Sequence, residues 1–163
     1  MSSRRGDGLS IKGAAIAAAT IREAAVHQLI FENLPVADVS ASRKFFTDAG
    51  YSFNEQFCDD RSSCMVLGDS HYAMLLNREF FGGFTDKPVS DARAMTEVLV
   101  CLSANSRQEV DALVDRAVAS GGTEGRSEDH GFMYGRSYAD LDGHIWEILW
   151  MDPSAVPDEA KVS

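Results

Sequence analysis

Residues 28–50 read QLIFENLPVADVSASRKFFTDAG, in which a strand pattern is followed directly by a helix pattern. The apolar run at 28–36 predicts a β-strand. Asp38 predicts the start of a helix, because its carboxylate can accept hydrogen bonds from the unpaired N–H groups of the first turn. Gly50 favours a helix end. Between them, apolar and small side chains recur on one helical face, at Val39, Ser42, Phe45, Phe46 and Ala49. We therefore predict a strand followed by a helix that buries this face.

Three short strands are predicted after this helix. They cover residues 51–57, 63–67 and 71–76, and polar turns separate them at Asp59-Asp60 and Gly68-Asp69-Ser70. The first half of the chain is therefore predicted to form a β-α-β-β-β unit.

The second half repeats the same order of elements. Thr96–Ser103 predicts a strand, and Ser106 with Glu109 forms a capping box that predicts the start of the next helix. Gly121-Gly122 ends that helix, and three strands are predicted at 123–126, 132–138 and 144–150. Ser40 in the first half matches Ser106, 66 residues later, and Asp69-Ser70-His71 matches Asp142-Gly143-His144. The predicted fold class is α+β, with duplicated β-α-β-β-β modules forming a curved mixed sheet that encloses a cleft.

The predicted domain organisation is a single domain with an extension at each end. The 163 residues suffice for about one domain. Residues 1–26 are rich in alanine and are interpreted as an N-terminal extension, and residues 153–163 as a C-terminal tail. The domain covers 27–152, with modules at about 27–77 and 93–152. The linker between them carries Phe80, Phe81 and Phe84, which are expected to fold over an apolar edge.

Composition excludes several classes of partner and activity. The net charge of −10 disfavours nucleic acid and anionic membrane surfaces, and no apolar run approaches the ~18 residues of a membrane span. Three cysteines without a CxxC pair indicate a reducing cytoplasm. No phosphate-binding loop, serine-hydrolase elbow or H-E-x-x-H motif is present.

Two stretches resemble signatures of a known superfamily. Leu34-Pro35-Val36-Ala37-Asp38, followed by Phe45-Phe46 and Gly50, resembles the opening signature of vicinal-oxygen-chelate proteins, which include glyoxalases, bleomycin-resistance proteins and extradiol dioxygenases. The stretch YADLDGHIWE at 138–147 resembles their closing signature. The resemblance covers about residues 28–152. It implies a cleft for a small organic molecule, often in a homodimer, and either a lyase, isomerase or oxygenase activity or metal-free binding of a compound.

The resemblance also implies four positions that hold a metal in metal-dependent relatives. They correspond here to Phe31, Met74, Glu97 and Glu147. A phenyl ring cannot ligate a metal, and a thioether is a poor ligand for hard cations. A partial metal site would therefore consist of Glu97 and Glu147, whose oxygen ligands favour Mg, Mn or Ca over Zn or Ni. A protein without any metal is equally consistent with these residues.

The alternation of side chains along a strand is a second reason to expect a functional role for Glu97 and Glu147. Glu97 would share a face with Leu99 and Cys101, and Glu147 would share one with Ile145 and Leu149. A carboxylate on an apolar face must be paired, metal-bound or protonated. The two could act as catalytic acid and base, or each could simply pair with water or with an arginine.

Five further residues are predicted to contact a substrate. Phe31 and Met74 would enlarge the apolar cleft wall, and Asn33 shares the face of Phe31. Tyr134 and Arg136 could orient an anionic or oxygen-rich ligand, although a structural role suits them equally. Two hypotheses result: a glyoxalase-like enzyme using the two glutamates, and a metal-free binding protein of the bleomycin-resistance type.

Overall fold

Two copies of a β-α-β-β-β module follow one another in the chain, as the sequence predicts. The computed structural model describes residues 27–155, and within it Leu29–Met151 form one compact unit. The predicted extension at 1–26 and most of the predicted tail at 153–163 lie outside the described residues.

Each module consists of one main helix and four strands. The elements of the first module are β1 (Ile30–Val36), α1 (Val39–Ala49), β2 (Ser52–Phe53), β3 (Ser62–Val66) and β4 (His71–Asn77). A short helix, α2 (Arg78–Gly82), begins the linker. The elements of the second module are β5 (Leu99–Ser103), α3 (Arg107–Ala119), β6 (Thr123–Asp129), β7 (Met133–Ala139) and β8 (Ile145–Met151).

The strands form two separate four-stranded mixed sheets. Their orders are β1-β4-β3-β2 and β5-β8-β7-β6, with β1 parallel to β4 and β5 parallel to β8. The α+β class and the duplicated modules are confirmed. Each module forms its own mixed sheet, in which β1 or β5 is an edge strand.

Capping side chains define both main helices. Asp38 Oδ1 accepts a hydrogen bond from the Ala41 backbone N–H at 2.9 Å, and Gly50 ends α1 in the left-handed conformation. The Ser106 hydroxyl accepts from the Glu109 N–H at 3.1 Å. In a capping box the Glu109 carboxylate would accept a hydrogen bond from the backbone N–H of Ser106. It accepts instead from the backbone N–H of Asn105.

One core joins the two modules. Trp146 of β8 and Phe46 of α1 are fully buried, and their rings meet edge to face with centroids 5.1 Å apart. Tyr138 of β7 stacks on Trp146 from the other side. The two main helices contact each other and cover one face of the sheets.

Three segments differ from the sequence-based bounds. β5 begins at Leu99, so Glu97 lies before the strand. The predicted strand at 51–57 is shortened to two residues, because the Asn54 side chain caps a 3₁₀ turn at Glu55–Phe57. The linker contains α2, which packs on β1 and β4. No helix within residues 27–155 has the length and apolar content to cross a bilayer.

Candidate functional site

The sheet faces that point away from the main helices carry most of the predicted site residues. In β8, Trp146 and Ile148 are buried in the core, so Glu147 between them points to the opposite side. We call this opposite side of both sheets the open face. It includes Phe31, Asn33, Cys64, Tyr72 and Met74 in the first sheet, and Leu99, Cys101, Ser137, Glu147 and Leu149 in the second.

An aromatic wall forms the open face of the first module, and we define it as Phe31, Tyr72 and Met74. Phe31 is 47% exposed, and its ring stacks on Tyr72 with centroids 5.1 Å apart. Met74 is half-buried and lies beside Asn33 in the β1/β4 register. The structure thus brings three predicted residues, Phe31, Asn33 and Met74, onto one surface.

Glu147 lies on the open face of the second module. It is half-buried, and its register partners are Cys101 of β5 and Ser137 of β7. Partial desolvation and the negative charge of Glu147 raise the pKa of the Cys101 thiol above its ordinary value. The carboxylate therefore acts on its neighbour electrostatically, and the thiol stays neutral near pH 7.

Glu97 occupies a different place. It is exposed and lines a cavity of about 380 Å³ together with Asn33, His144 and linker residues including Phe81. We call this space the linker cavity. Glu147 does not line it. The structure therefore brings Glu97 together with Asn33, and it does not bring the two predicted glutamates into one cavity.

Tyr134 and Arg136 lie on the helix side of β7, opposite Glu147. The Tyr134 hydroxyl donates to Asp111 of α3 at 2.7 Å. The Arg136 guanidinium donates to Asp111, to Asp115 and to Glu124, at 3.0, 2.9 and 2.7 Å respectively. The hydroxyl of Tyr134 and the guanidinium of Arg136 are thus both bonded to acidic side chains of the protein. These bonds agree with a structural role for the two residues.

The residues present do not fit a metal. Within 27–155, no group of three His, Cys, Asp or Glu side chains is placed to hold one ion. Phe31 stacks on Tyr72 where a relative would have a ligand, and Glu97 lies outside the strand that would aim it at Glu147. The donor set is therefore too small for the divalent ion that the resemblance implies.

Sequence reasoning missed the role of the turn before β8. Asp140 Oδ1 accepts from the backbone of Asp142 and His144, and its Oδ2 accepts from the indole N–H of Trp146. Burial raises the pKa of the Asp140 carboxyl. His144 Nε2 lies 2.9 Å from the carbonyl oxygen of Pro35 in β1, so this turn also contacts the first module.

Glu32 was also missed. Its Oε2 atom is buried and has no hydrogen-bond partner, alone in this among the side-chain oxygens and nitrogens of residues 27–155. It borders a second cavity of about 500 Å³, lined by Leu67, His71 and the β5 segment 98–103. The sequence could have indicated this burial, because Glu32 lies two residues before Leu34 and therefore on the same, core-facing side of β1.

Comparison with known proteins supports the assignment of the fold. The family described as bleomycin resistance protein-like N-terminal matches residues 28–68, which contain β1, α1, β2 and β3. None of the curated protein sequences matches the chain.

Several solved structures are similar over most of the chain. A hypothetical protein from S. aureus is 25% identical with a TM-score of 0.66, over 77% of this chain and 95% of that chain. A glyoxalase-related enzyme from Fulvimarina pelagi is 20% identical with a TM-score of 0.68, over 85% and 98%. A fosfomycin resistance protein from Listeria monocytogenes is 15% identical with a TM-score of 0.58, over 84% and 100%. The chain therefore has the fold of the glyoxalase and bleomycin-resistance proteins that its sequence resembles, and its first module is similar to the bleomycin resistance protein-like N-terminal family.

Proposed function

We propose that the open face of the protein binds the aromatic part of an organic molecule, without a metal. The observation that carries this proposal is the aromatic wall. At a position where metal-dependent relatives are expected to have a ligand, Phe31 instead presents an exposed ring stacked on Tyr72. Stacked aromatic pairs contribute about 0.5–1.5 kcal/mol beyond their buried area, so a third, planar ring from a ligand would be bound favourably.

Glu147 supplies the polar contact in this proposal. It is half-buried beside Cys101, Ser137 and Leu149, on the side of the second sheet that points away from the main helices, as the aromatic wall does in the first sheet. A ligand that carries a protonated nitrogen or another hydrogen-bond donor would neutralise this carboxylate on binding. The protein's net charge of −10 also attracts cationic compounds over anionic ones.

We further propose that a second copy of the chain covers the open face. Several large apolar side chains are about half exposed along β1 and β5, namely Leu29, Ile30, Phe31, Val98 and Leu99. Apolar surface of this kind is typical of a protein interface, and a homodimer would enclose the bound molecule. All three cysteines are free thiols, which supports a cytoplasmic location for such a binding protein.

A second candidate is a proton-transfer enzyme of the lyase or isomerase type. The half-buried position of Glu147 beside a neutral thiol favours it, because a partly desolvated carboxylate is a suitable general base. Glu97 would have to act on the same molecule from the linker cavity, as the acid or as a positioning group. The binding proposal rests mainly on the aromatic wall of one module and does not require the two glutamates to act on the same molecule, so it is the one that we favour.

Titration of chelator-treated protein with bleomycin and with fosfomycin tests the proposal. Bleomycin is cationic and carries aromatic rings, whereas fosfomycin is a small anionic phosphonate. We expect saturable binding of metal-free bleomycin by calorimetry, without any added ion, and no binding of fosfomycin. The binding proposal is overturned if bleomycin and related cationic aromatics bind only after Mg²⁺, Mn²⁺ or Zn²⁺ is added.

A further inference from the structure

A cavity of about 500 Å³ lies along the edge of β5, beside Glu32 of β1. β1 and β5 are the edge strands of their sheets, and each has a hydrogen-bonded neighbour on one side only. The lining includes six consecutive residues of the second module, 98–103, and from the first module Glu32, Leu67 and His71. We call this space the inter-strand cavity. Its volume falls in the range of about 300–1,000 Å³ that is typical of small-molecule sites.

The carboxylate of Glu32 is unsatisfied at the wall of this cavity. Its Oε2 atom is buried and has no hydrogen-bond partner among residues 27–155. A buried carboxylate oxygen without a donor costs folding free energy, and most proteins supply a partner. The residues that line the cavity contain no lysine or arginine. The side chains of the lining, which include Ser103 and His71, do not bond this oxygen, so it is free to accept a hydrogen bond from a bound molecule.

The other walls restrict the chemistry of that donor. Leu67, Val98 and Leu99 offer apolar surface, while the edge of β5 offers backbone groups. His71 Nδ1 is already 3.1 Å from the Ser70 hydroxyl. A hydrated inorganic ion would leave the apolar wall without contacts. An organic ammonium would satisfy the carboxylate with its charged end and cover the apolar wall with its hydrocarbon end.

We propose that the inter-strand cavity is a binding site for a small primary ammonium compound, with Glu32 as the anionic anchor. The anchor of this site differs from the aromatic wall, because Glu32 and Phe31 are consecutive in β1 and point to opposite faces. Leu99 and Cys101 of the cavity lining also belong to the open face of the second module. A ligand bound in this cavity would lie with its hydrocarbon end between β1 and β5, the edge strands of the two modules.

The test uses benzylammonium as the probe, with benzyl alcohol as the uncharged compound of similar shape. Amide chemical shifts of the full chain report where each probe binds. We expect benzylammonium to perturb residues 98–103 together with Leu67 and His71. Glu32→Gln keeps the size of the side chain and removes its charge, and it should weaken benzylammonium binding about tenfold without changing that of benzyl alcohol. The matched control is Glu128→Gln, an exposed glutamate of β6, which should leave both affinities unchanged.

Three results would overturn the proposal. One is the absence of saturable benzylammonium binding to the unmodified protein. Another is equal affinity of the unmodified protein and Glu32→Gln for benzylammonium. The third is a set of perturbed signals confined to the aromatic wall and Glu147. The shift map of the unmodified protein decides the site even if Glu32→Gln fails to fold. Phe31→Ala should leave the benzylammonium perturbation of Leu67, His71 and residues 98–103 intact even where it abolishes binding at the aromatic wall, so a failure at this cavity is distinguishable from a failure of the open-face proposal.

Discussion

Asp142, in the turn before β8, accepts a hydrogen bond on Oδ1 from the backbone N–H of Ala37 at 2.9 Å. The two residues are 105 positions apart and belong to different modules. The other oxygen of Asp142 is 3.3 Å from the hydroxyl of Ser42, which donates from within α1. One nearly buried carboxylate of the second module thereby fixes the start of the first module's helix.

We expect Asp142→Ala to lower the free energy of unfolding by about 2–4 kcal/mol, because it leaves two donors of the first module without an acceptor. Urea denaturation measures this. Ser42→Ala removes only one of the donors and should cost about 1 kcal/mol. An Asp142→Ala protein with an unchanged urea midpoint would show that this carboxylate does not hold the modules together.

Gly143 should tolerate substitution poorly. Its φ of 93° is unfavourable for other residues, and an added Cβ would lie 2.8 Å from the backbone nitrogen of Arg93. We expect Gly143→Ala to cost about 2–4 kcal/mol, whereas Gly131→Ala, with positive φ but open space, should cost about 1 kcal/mol. Gly68→Ala has neither problem and serves as the control. Equal costs at 143 and 131 would refute the contribution of the contact with Arg93.

Burial of two tyrosines predicts a loss of stability at alkaline pH. Burial raises the pKa of Tyr138 and of Tyr51, whose hydroxyls lie 3.4 Å apart. A raised pKa means that the folded state favours the neutral phenol. The stability is therefore complete below the unfolded tyrosine pKa of about 10 and is lost as the pH rises above it.

Tyr138→Phe should flatten this dependence, because a phenyl ring has no proton to lose. Urea midpoints at about pH 8 and pH 11 measure the effect, and absorbance of tyrosinate follows ionisation directly. Tyr72 lies on the open face, so Tyr72→Phe is the matched control and should retain the alkaline loss. The same slope in Tyr138→Phe and in the unmodified protein would contradict the assignment.

Much of the fold could be predicted because local signals agreed with the tertiary structure. The Asp38 cap, the apolar stripe through Phe45 and Phe46, and the Gly50 stop all appear as predicted. The strand at 51–57 was overextended because the Asn54 cap, which turns the chain into a 3₁₀ helix, is a side-chain bond that hydrophobic periodicity does not register. The separation of the two sheets depends on contacts between distant segments, such as His144 with Pro35, which no local pattern specifies.

The site was less predictable than the fold. Parity along a strand gave the correct face for Phe31, Asn33, Met74 and Glu147, because side chains alternate strictly within β1, β4 and β8. The same rule did not apply to Glu97, since β5 begins two residues after it. Tyr134 and Arg136 lie on the face of β7 that the helices cover. Which face the helices cover is decided by the packing of the whole core, and the sequence of one strand does not specify it.

We propose that the exposed side chain of Phe31 binds the ligand at the position where metal-dependent relatives are expected to hold a metal. Calorimetric titration of chelator-treated protein with bleomycin tests this proposal. The variants to compare are Phe31→Ala and Phe132→Ala, because Phe31 and Phe132 are similarly exposed in the unmodified protein, at 47% and 45%. We predict an affinity loss of about tenfold for Phe31→Ala and none for Phe132→Ala. Equal affinity of both variants and the unmodified protein would contradict the claim.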